Sequence, residues 1–353
     1  MVNWQGNQMV KEYFSKVGLL SDRDLDWIVN IGMKKTIAKD DILIYQGVPI
    51  NELYILLEGT LAVFVSFSAQ VKQATEKRIA TINSGEIVGE LSFIDTLPPQ
   101  ATVKAIEQST LISLPWQELE IKIEQDVGFA ARFYQTISAL LSYRLRNISA
   151  LLVQSNLISA PPLRKVLFVF SVLNDSDIDW MIENGKRVNS SAGKVLIKQG
   201  EPVEAFYILL DGKLAVSITV GEGENKVNQE INQLSNGEIV GEISFVETGK
   251  ASATIECCKH SVLLSIPQQK LAAKLKQDMG FASRFYRAIA IILSDRIRDS
   301  LIRRGYGYIS FMKGDYLDEE IESEDELDMN TLQQTALAAT KFDWMIKRVN
   351  SNY

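Results

Sequence analysis

The feature that most restricts this chain is that it repeats itself. Ser21-Asp22-Arg23-Asp24-Leu25-Asp26-Trp27 returns as Asn174-Asp175-Ser176-Asp177-Ile178-Asp179-Trp180, shifted by 153 positions. GEIVGELSF, from Gly85 to Phe93, returns as GEIVGEISF from Gly237 to Phe245, and the 21 residues from Asp126 return from Asp278 with twelve identities, both shifted by 152. Self-similarity at so long a period means that one structural plan is used twice, and a unit of about 150 residues is an ordinary domain size. Pro161-Pro162 marks the join, and the chain from about Lys313 lies outside the repeat. The expected organisation is a first domain over 1–158, a second over 159–312, and an acidic linker with a C-terminal helix over 313–353.

Within each unit the hydrophobic pattern changes halfway. Ile42-Leu43-Ile44-Tyr45, Leu53-Tyr54-Ile55-Leu56, Leu61-Ala62-Val63-Phe64-Val65 and Thr102-Val103-Lys104-Ala105 are short β-prone runs, punctuated by Gly47, Glu58-Gly59 and Ser84-Gly85. They predict a small β-barrel or jelly roll. Phe129, Phe133, Ile137, Leu140, Leu141, Ile148 and Leu152 then recur at helical spacing, so a long amphipathic helix closes the unit. Phe14, Trp27 and Ile28 belong to short helices ahead of the first barrel, and the same order repeats through Ile208, Leu214, Ile239 and Phe281 to Ile302. The fold class is α+β: two barrels, each flanked by helices and closed by a long one.

Charge and composition exclude several functions. Asp315 to Asp328 holds nine of the 44 acidic residues and no Lys or Arg, which leaves 35 acidic against 37 basic residues elsewhere. A nearly neutral body offers no general attraction to a phosphate backbone, so no nucleic-acid partner is expected. One histidine, His260, and two adjacent cysteines, Cys257 and Cys258, are too few for a usual structural zinc site or for His-dependent nucleophilic chemistry. His260 reads as a surface residue at a strand end, and the cysteines as reduced packing residues. No run of about 18 apolar residues occurs and Met1-Val2-Asn3-Trp4-Gln5 does not open a secretion signal, so a cytoplasmic location without a transmembrane segment is expected. No nucleophile and base pair or cofactor fingerprint supports an enzyme.

The most informative segment is Gly85-Glu86-Ile87-Val88-Gly89-Glu90-Leu91-Ser92-Phe93. A Gly-Glu pair opening a short helix after a strand offers backbone N–H groups to an anion and a carboxylate to sugar hydroxyls. Here the chain resembles the cyclic-nucleotide-binding domain family, whose phosphate-binding cassette reads G-E-L-A-L followed closely by P-R-A-A-T-V. Tyr54 to Val63 and Tyr207 to Val216 resemble the central hairpin of that barrel, and the resemblance covers both repeats. It implies that Glu90 and Glu242 bind a ribose 2′-hydroxyl, that the cassette backbone holds the cyclic phosphate of cyclic AMP or cyclic GMP, and that an Arg pairs with that phosphate.

The Arg is missing twice. Aligning the TVKA of Thr102-Val103-Lys104-Ala105 places Pro99 at its position in the first unit, and the same register places Ala251 there in the second. Losing one partner of a desolvated charge pair costs about 2–5 kcal/mol, or roughly thirty-fold to several thousand-fold in affinity. In the second unit Lys250 sits one position before the gap and offers a point charge without a bidentate fork. The first unit has Pro98-Pro99-Gln100 instead, stiff and short of N–H donors. The candidate ligand-binding residues are therefore Gly241, Glu242, Ser244, Lys250, Ser252 and Thr254 in the second unit, and Gly89, Glu90, Ser92, Gln100 and Thr102 in the first.

Two uses of the plan follow. In one, both cassettes are degenerate and the chain is a non-enzymatic regulatory or scaffold protein acting through protein–protein contact or self-association. In the other, it senses a cyclic nucleotide or another small anion in the second domain, and the closing helix reports. The Phe129/Phe133 and Phe281/Phe285 stripes are expected to pack on their own barrels before they form any partner seam, and Arg144, Arg146, Arg296 and Arg298 to form helix-surface pairs. Relatives that regulate transcription carry a helix-turn-helix after the closing helix, where this chain has its acidic spacer. Beyond the spacer, Leu332, Ala336, Ala339, Phe342, Ile346 and Val349 predict a terminal amphipathic helix that docks on something. Its end, Asp343 to Ser351, echoes Asp179-Trp180-Met181-Ile182 and Lys186 to Ser190, which suggests that it imitates a helix leading into a barrel and packs in cis or in trans.

Overall fold

The structure is a computed structural model that describes residues 19–66, 76–152, 167–220, 227–247, 250–302 and 329–351. Phe14 and the acidic run from Asp315 to Asp328 lie outside the described residues. The described chain packs as two units: unit 1 holds 19–137 with the helix end 298–302, and unit 2 holds 138–152, 167–297 and 329–351.

Among the described residues of unit 1 the first element is helix α1 (Asp22–Ile31), started by a capping box in which Ser21 and Asp24 satisfy each other's free backbone N–H groups. Eight strands follow among the described residues: β1 (Met33–Ile37), β2 (Ile42–Ile44), β3 (Glu52–Glu58), β4 (Thr60–Ser66), β5 (Glu76–Asn83), β6 (Ile87–Val88), β7 (Thr102–Ala105) and β8 (Ser109–Pro115). The short helix α2 (Glu90–Asp95) interrupts them after β6. They form two antiparallel four-stranded sheets, β1-β8-β3-β6 and β2-β7-β4-β5. Strand alternation turns Leu56, Leu61, Val103 and Leu111 into the core between them. Helices α3 (Trp116–Gln125) and α4 (Val127–Leu152) follow the barrel.

Unit 2 repeats the plan. Helices α5 (Phe168–Val172) and α6 (Asp175–Asn184) lead into β9 (Lys186–Ser190), β10 (Val195–Ile197), β11 (Ala205–Asp211), β12 (Leu214–Val220), β13 (Val227–Leu234), β14 (Ile239–Val240), β15 (Thr254–Cys257) and β16 (Ser261–Pro267). Asn174 and Asp177 build the same capping box on α6, and the sheets are β14-β11-β16-β9 and β10-β15-β12-β13. Even the irregularities recur: the bulge between Leu56 and Glu58 returns between Leu209 and Asp211, and that between Val63 and Phe64 returns between Val216 and Ser217. A bulge fixes strand register, so both copies share one register. Helices α7 (Gln268–Gln277) and α8 (Met279–Ile302) close this barrel, and α9 (Met329–Ser351) is the terminal helix.

The aromatic stripes are core, as their spacing predicts. Phe129 meets Trp27 at 5.3 Å and Phe133 meets Phe93 at 5.8 Å between ring centres. Phe281 meets Trp180 at 5.4 Å and Phe285 meets Phe206 at 5.5 Å. The terminal helix also docks in cis, on α5 and α6, through buried Ala338, Phe342, Met345 and Val349. Its echo of the earlier segment holds in structure for the first half, where Asp343 to Ile346 is helical like Asp179 to Ile182, and fails in the second, where Lys186 to Ser190 is a strand and Lys347 to Ser351 is helical. Cys257 is buried in the core of unit 2, but Cys258 is exposed, so only the first is a packing residue. Cys257 is the last residue of β15 and Cys258 lies in the bend that follows it. His260 is exposed beside β16.

Candidate functional site

The cassette of each unit is a strand, a left-handed glycine and a turn of helix. Gly89 has φ +93° and Gly241 has φ +87°. A Cβ on Gly241 would stand 2.6 Å from the Ala205 carbonyl oxygen, so both the backbone angle and the close approach of β11 require glycine. The turn after each glycine buries the next side chain: Glu90 and Glu242 are buried, Glu242 at 2% exposure. Helix α2 continues to Asp95 in unit 1, whereas Glu242–Phe245 is a single 3₁₀ turn.

Each candidate residue has a definite place. Ser92 is buried on α2, and Ser244 Oγ donates to the Gly241 carbonyl at 2.7 Å. Thr102 Oγ1 accepts from Gln46 N and Thr254 Oγ1 accepts from Gln199 N, each at 3.1 Å, so both threonines tie the end of the cassette to the turn after the second strand of their barrel. Ser252 is half-buried, Lys250 is exposed and Gln100 is buried.

The carboxylate of Glu242 is engaged from within unit 2. Arg296 on α8 donates to Glu242 Oε1 and, through Nη2, to the Ile239 carbonyl at 2.6 Å. Burial works against the Arg296 charge, but Glu242 and Glu238 outweigh it and hold the guanidinium protonated. A carboxylate has about four acceptor positions. The pair therefore occupies one side of Glu242 and anchors α8 to the cassette.

In unit 1, Arg298 closes the far end of the cassette. It forks onto Asp95, with Nη2 to Oδ1 at 2.8 Å, and its Nη1 donates to the Pro98 carbonyl at 2.9 Å. Arg298 is 6% exposed. In unit 2, Arg146 makes the corresponding contact to Glu247 at 2.6 Å. The expectation of helix-surface pairs for Arg146, Arg296 and Arg298 is thus overturned. These arginines turn inward because each meets a cassette carboxylate or carbonyl that would otherwise be desolvated without a partner.

Sequence reasoning also missed a bidentate pair that recurs in each unit. Arg132 forks onto Asp24 at 2.6 and 2.9 Å, and Arg284 forks onto Asp177 at the same distances. Burial pushes the Asp24 carboxyl up, but hydrogen bonds from Arg132 and Ser21 more than reverse it and hold it below the usual carboxylate range. The signal was available: the capping-box Asp and the helix Arg are both kept across the duplication.

Two half-barrel sheets, a Gly-Glu cassette and a closing helix, used twice, define a tandem pair of jelly-roll domains of the cassette-bearing class. The profile of the cyclic nucleotide-binding domain matches residues 34–126 and 187–278, and the chain belongs to that family. The cAMP-dependent protein kinase type II regulatory subunit of Drosophila melanogaster is 21% identical over 238 residues, 67% of this chain and 52% of that protein. The cGMP-dependent protein kinase of Eimeria tenella is 26% identical over 253 residues, 71% of this chain and 21% of that protein. The chain therefore spans about half or less of these relatives. A crystal structure of a cyclic nucleotide-binding domain from Methylobacillus flagellatus matches with TM-score 0.39 and 20% identity, covering 42% of this chain and 84% of that one. None of the described helices is long and apolar enough to cross a membrane.

Proposed function

We propose that the chain is a non-enzymatic regulatory or scaffold protein of the cytoplasm whose cassettes serve as architecture and which acts through protein–protein contact. The observation that carries this reading is the cation inventory of the cassettes. Between Gly85 and Ala105 the one basic residue is Lys104, and between Gly237 and Cys257 it is Lys250. Lys104 is paired with Asp40 at 3.3 Å, and Lys250 is exposed. A cyclic phosphate taken into either barrel would lose its hydration without gaining a guanidinium, which costs several kcal/mol. Arg296 supports the same reading, since it spends its charge on Glu242 and Ile239.

The test is isothermal titration of cyclic AMP and cyclic GMP into the natural chain and into the Pro99→Arg/Ala251→Arg variant. The expected result is no heat from the natural chain and binding regained in the variant. Micromolar binding by the natural chain would overturn the reading and establish a sensor in its place.

A further inference from the structure

The same five residues, Lys-Arg-Val-Asn-Ser, stand at 186–190 and at 347–351, a shift of 161 positions that the duplication at 152–153 does not generate. One sequence therefore occupies two environments. In the first it is β9, paired with β16, and Ser190 lies opposite Ser261 at 5% exposure. In the second it is the last turn of α9, where Val349 is buried and Lys347, Arg348, Asn350 and Ser351 are exposed. Ser351 Oγ donates to the Lys347 carbonyl at 2.8 Å, a bond made within that one turn. The closing carbonyls of a helix lack intrahelical donors and its last turn frays readily, whereas β9 opens only with the sheet around it.

Phosphoryl transfer to a serine needs a hydroxyl open to solvent, a backbone that can extend across the enzyme's cleft, and flanking charges that the cleft reads. An Arg three positions before a Ser or Thr is one such charge pattern, and it occurs four times in the chain: Arg78 to Thr81, Arg146 to Ser149, Arg187 to Ser190 and Arg348 to Ser351. The first and third lie inside strands paired with β4 and β16. In the second, Arg146 is committed to Glu247 at 2.6 Å. In the fourth, the pair of Arg348 with Asp179 is over a third exposed on both sides, and Lys347 adds a second exposed cation.

We propose that Ser351 is a phosphorylation site for a kinase that selects basic residues ahead of the hydroxyl, and that a phosphate there loosens α9 from α5 and α6. The step uses a nucleoside triphosphate with its Mg²⁺: the bond from Ser351 Oγ to the γ-phosphorus forms as the bond to the bridging β,γ-oxygen breaks. The nucleoside diphosphate leaves, and the hydroxyl proton passes to the kinase's base. The new group carries a charge of about −1.5 to −2 at neutral pH and stands at the negative end of α9. It lies one turn from Arg348, close enough to pair with it along the helix in place of Asp179, and its charge repels the Asp179 carboxylate. The inference goes beyond the proposed scaffold role and does not depend on what either cassette binds.

The experiment incubates the full, folded chain with calmodulin-dependent protein kinase II, which reads an Arg at this spacing, and Mg-ATP. Mass spectrometry follows phosphate at each site, and amide hydrogen exchange across Leu337–Val349 is measured before and after. Ser351 is expected to be modified at least about tenfold faster than Ser190, a difference that the folded structure alone can cause because the five residues are the same. Exchange across α9 is expected to rise about five- to thirty-fold, from the lost Arg348 pair and the added charge at the helix end. Ser351→Ala, a change at an exposed position, should take no phosphate on α9 and show no rise in exchange. Absence of phosphate from Ser351, equal modification of Ser190 and Ser351, or unchanged exchange in the fully phosphorylated chain would overturn the inference.

Discussion

Removing the Phe342 ring should release the terminal helix. The ring lies 5.2 Å from that of Phe170, and both are buried. A Phe-to-Ala change in such a site costs about 3–5 kcal/mol, of which roughly 0.5–1.5 kcal/mol belongs to the aromatic pair. The polar contacts of the same helix are weaker. Arg348 pairs with Asp179 at 2.9 Å but both side chains are over a third exposed, which limits the pair to about 1 kcal/mol or less. Lys341 donates to the Leu173 carbonyl at 2.6 Å, where it meets the negative end of α5. Helix α9 is terminal, so its undocking is a local opening read by amide hydrogen exchange across Leu337–Val349. Phe342→Ala should raise exchange there about a hundred-fold or more, against about fivefold or less for Arg348→Ala. Equal effects of the two changes, or less than a tenfold change for Phe342→Ala, would show that charge holds the helix and that the packing account is wrong.

Three further expectations concern the frame. Arg132→Met leaves buried Asp24 without its fork. Because Arg132 is itself about a third exposed, the coupling in a double-mutant cycle with Asp24→Asn should be about 2 kcal/mol instead of the 3–5 of a fully buried pair, and a coupling under about 0.5 would contradict the geometry. The carboxyls of Asp24, Asp126 and Asp278 are all held below their ordinary values, Asp126 and Asp278 chiefly by backbone N–H bonds from Phe129 and Phe281. Their stabilisation is complete above the unfolded value near pH 4 and is lost as pH falls through the lower folded values, so the urea midpoint should drop between about pH 4 and pH 2 and stay level just above. Gly241→Ala forces both positive φ and a clash with Ala205, whereas a Cβ on Gly200, also at positive φ, meets nothing within 4 Å. The first change should therefore cost at least about 1 kcal/mol more than the second, measured by denaturant titration.

Much of the fold was readable because duplication and glycine punctuation agree. The run from Leu53 to Leu57, Gly59 and the run from Leu61 to Val65 identify a hairpin without any partner information, and the 3.6-residue spacing of Phe129 and Phe133 places them in the core. What could not be read is where long polar side chains end. The helical pattern shows which face Arg298 occupies, but its partner Asp95 lies 203 positions away, and no spacing rule connects the two. Gln100 was visible as a substitution in a familiar motif, and its lack of a partner was not, because that depends on every neighbour the folded chain brings within reach. The second half of the tail echo misled for a related reason: Lys186 to Ser190 is fixed as a strand by pairing with β16, a constraint that Lys347 to Ser351 does not share.

The proline at position 99 has a kinetic consequence. In unit 2 the turn and the cassette exchange two backbone bonds, Gly200 N to the Ala251 carbonyl and Ala251 N back to the Glu201 carbonyl, each 2.9 Å. Pro99 has no proton to return, so in unit 1 the Gly47 bond stands without its reciprocal. With the threonine bonds from Gln46 to Thr102 and from Gln199 to Thr254 holding both turns alike, three bonds must part in unit 2 and two in unit 1, so the first turn is expected to open more often than the second. The duplication thus repeats one fastening with a bond fewer in the first copy, which sets two opening rates on a single plan.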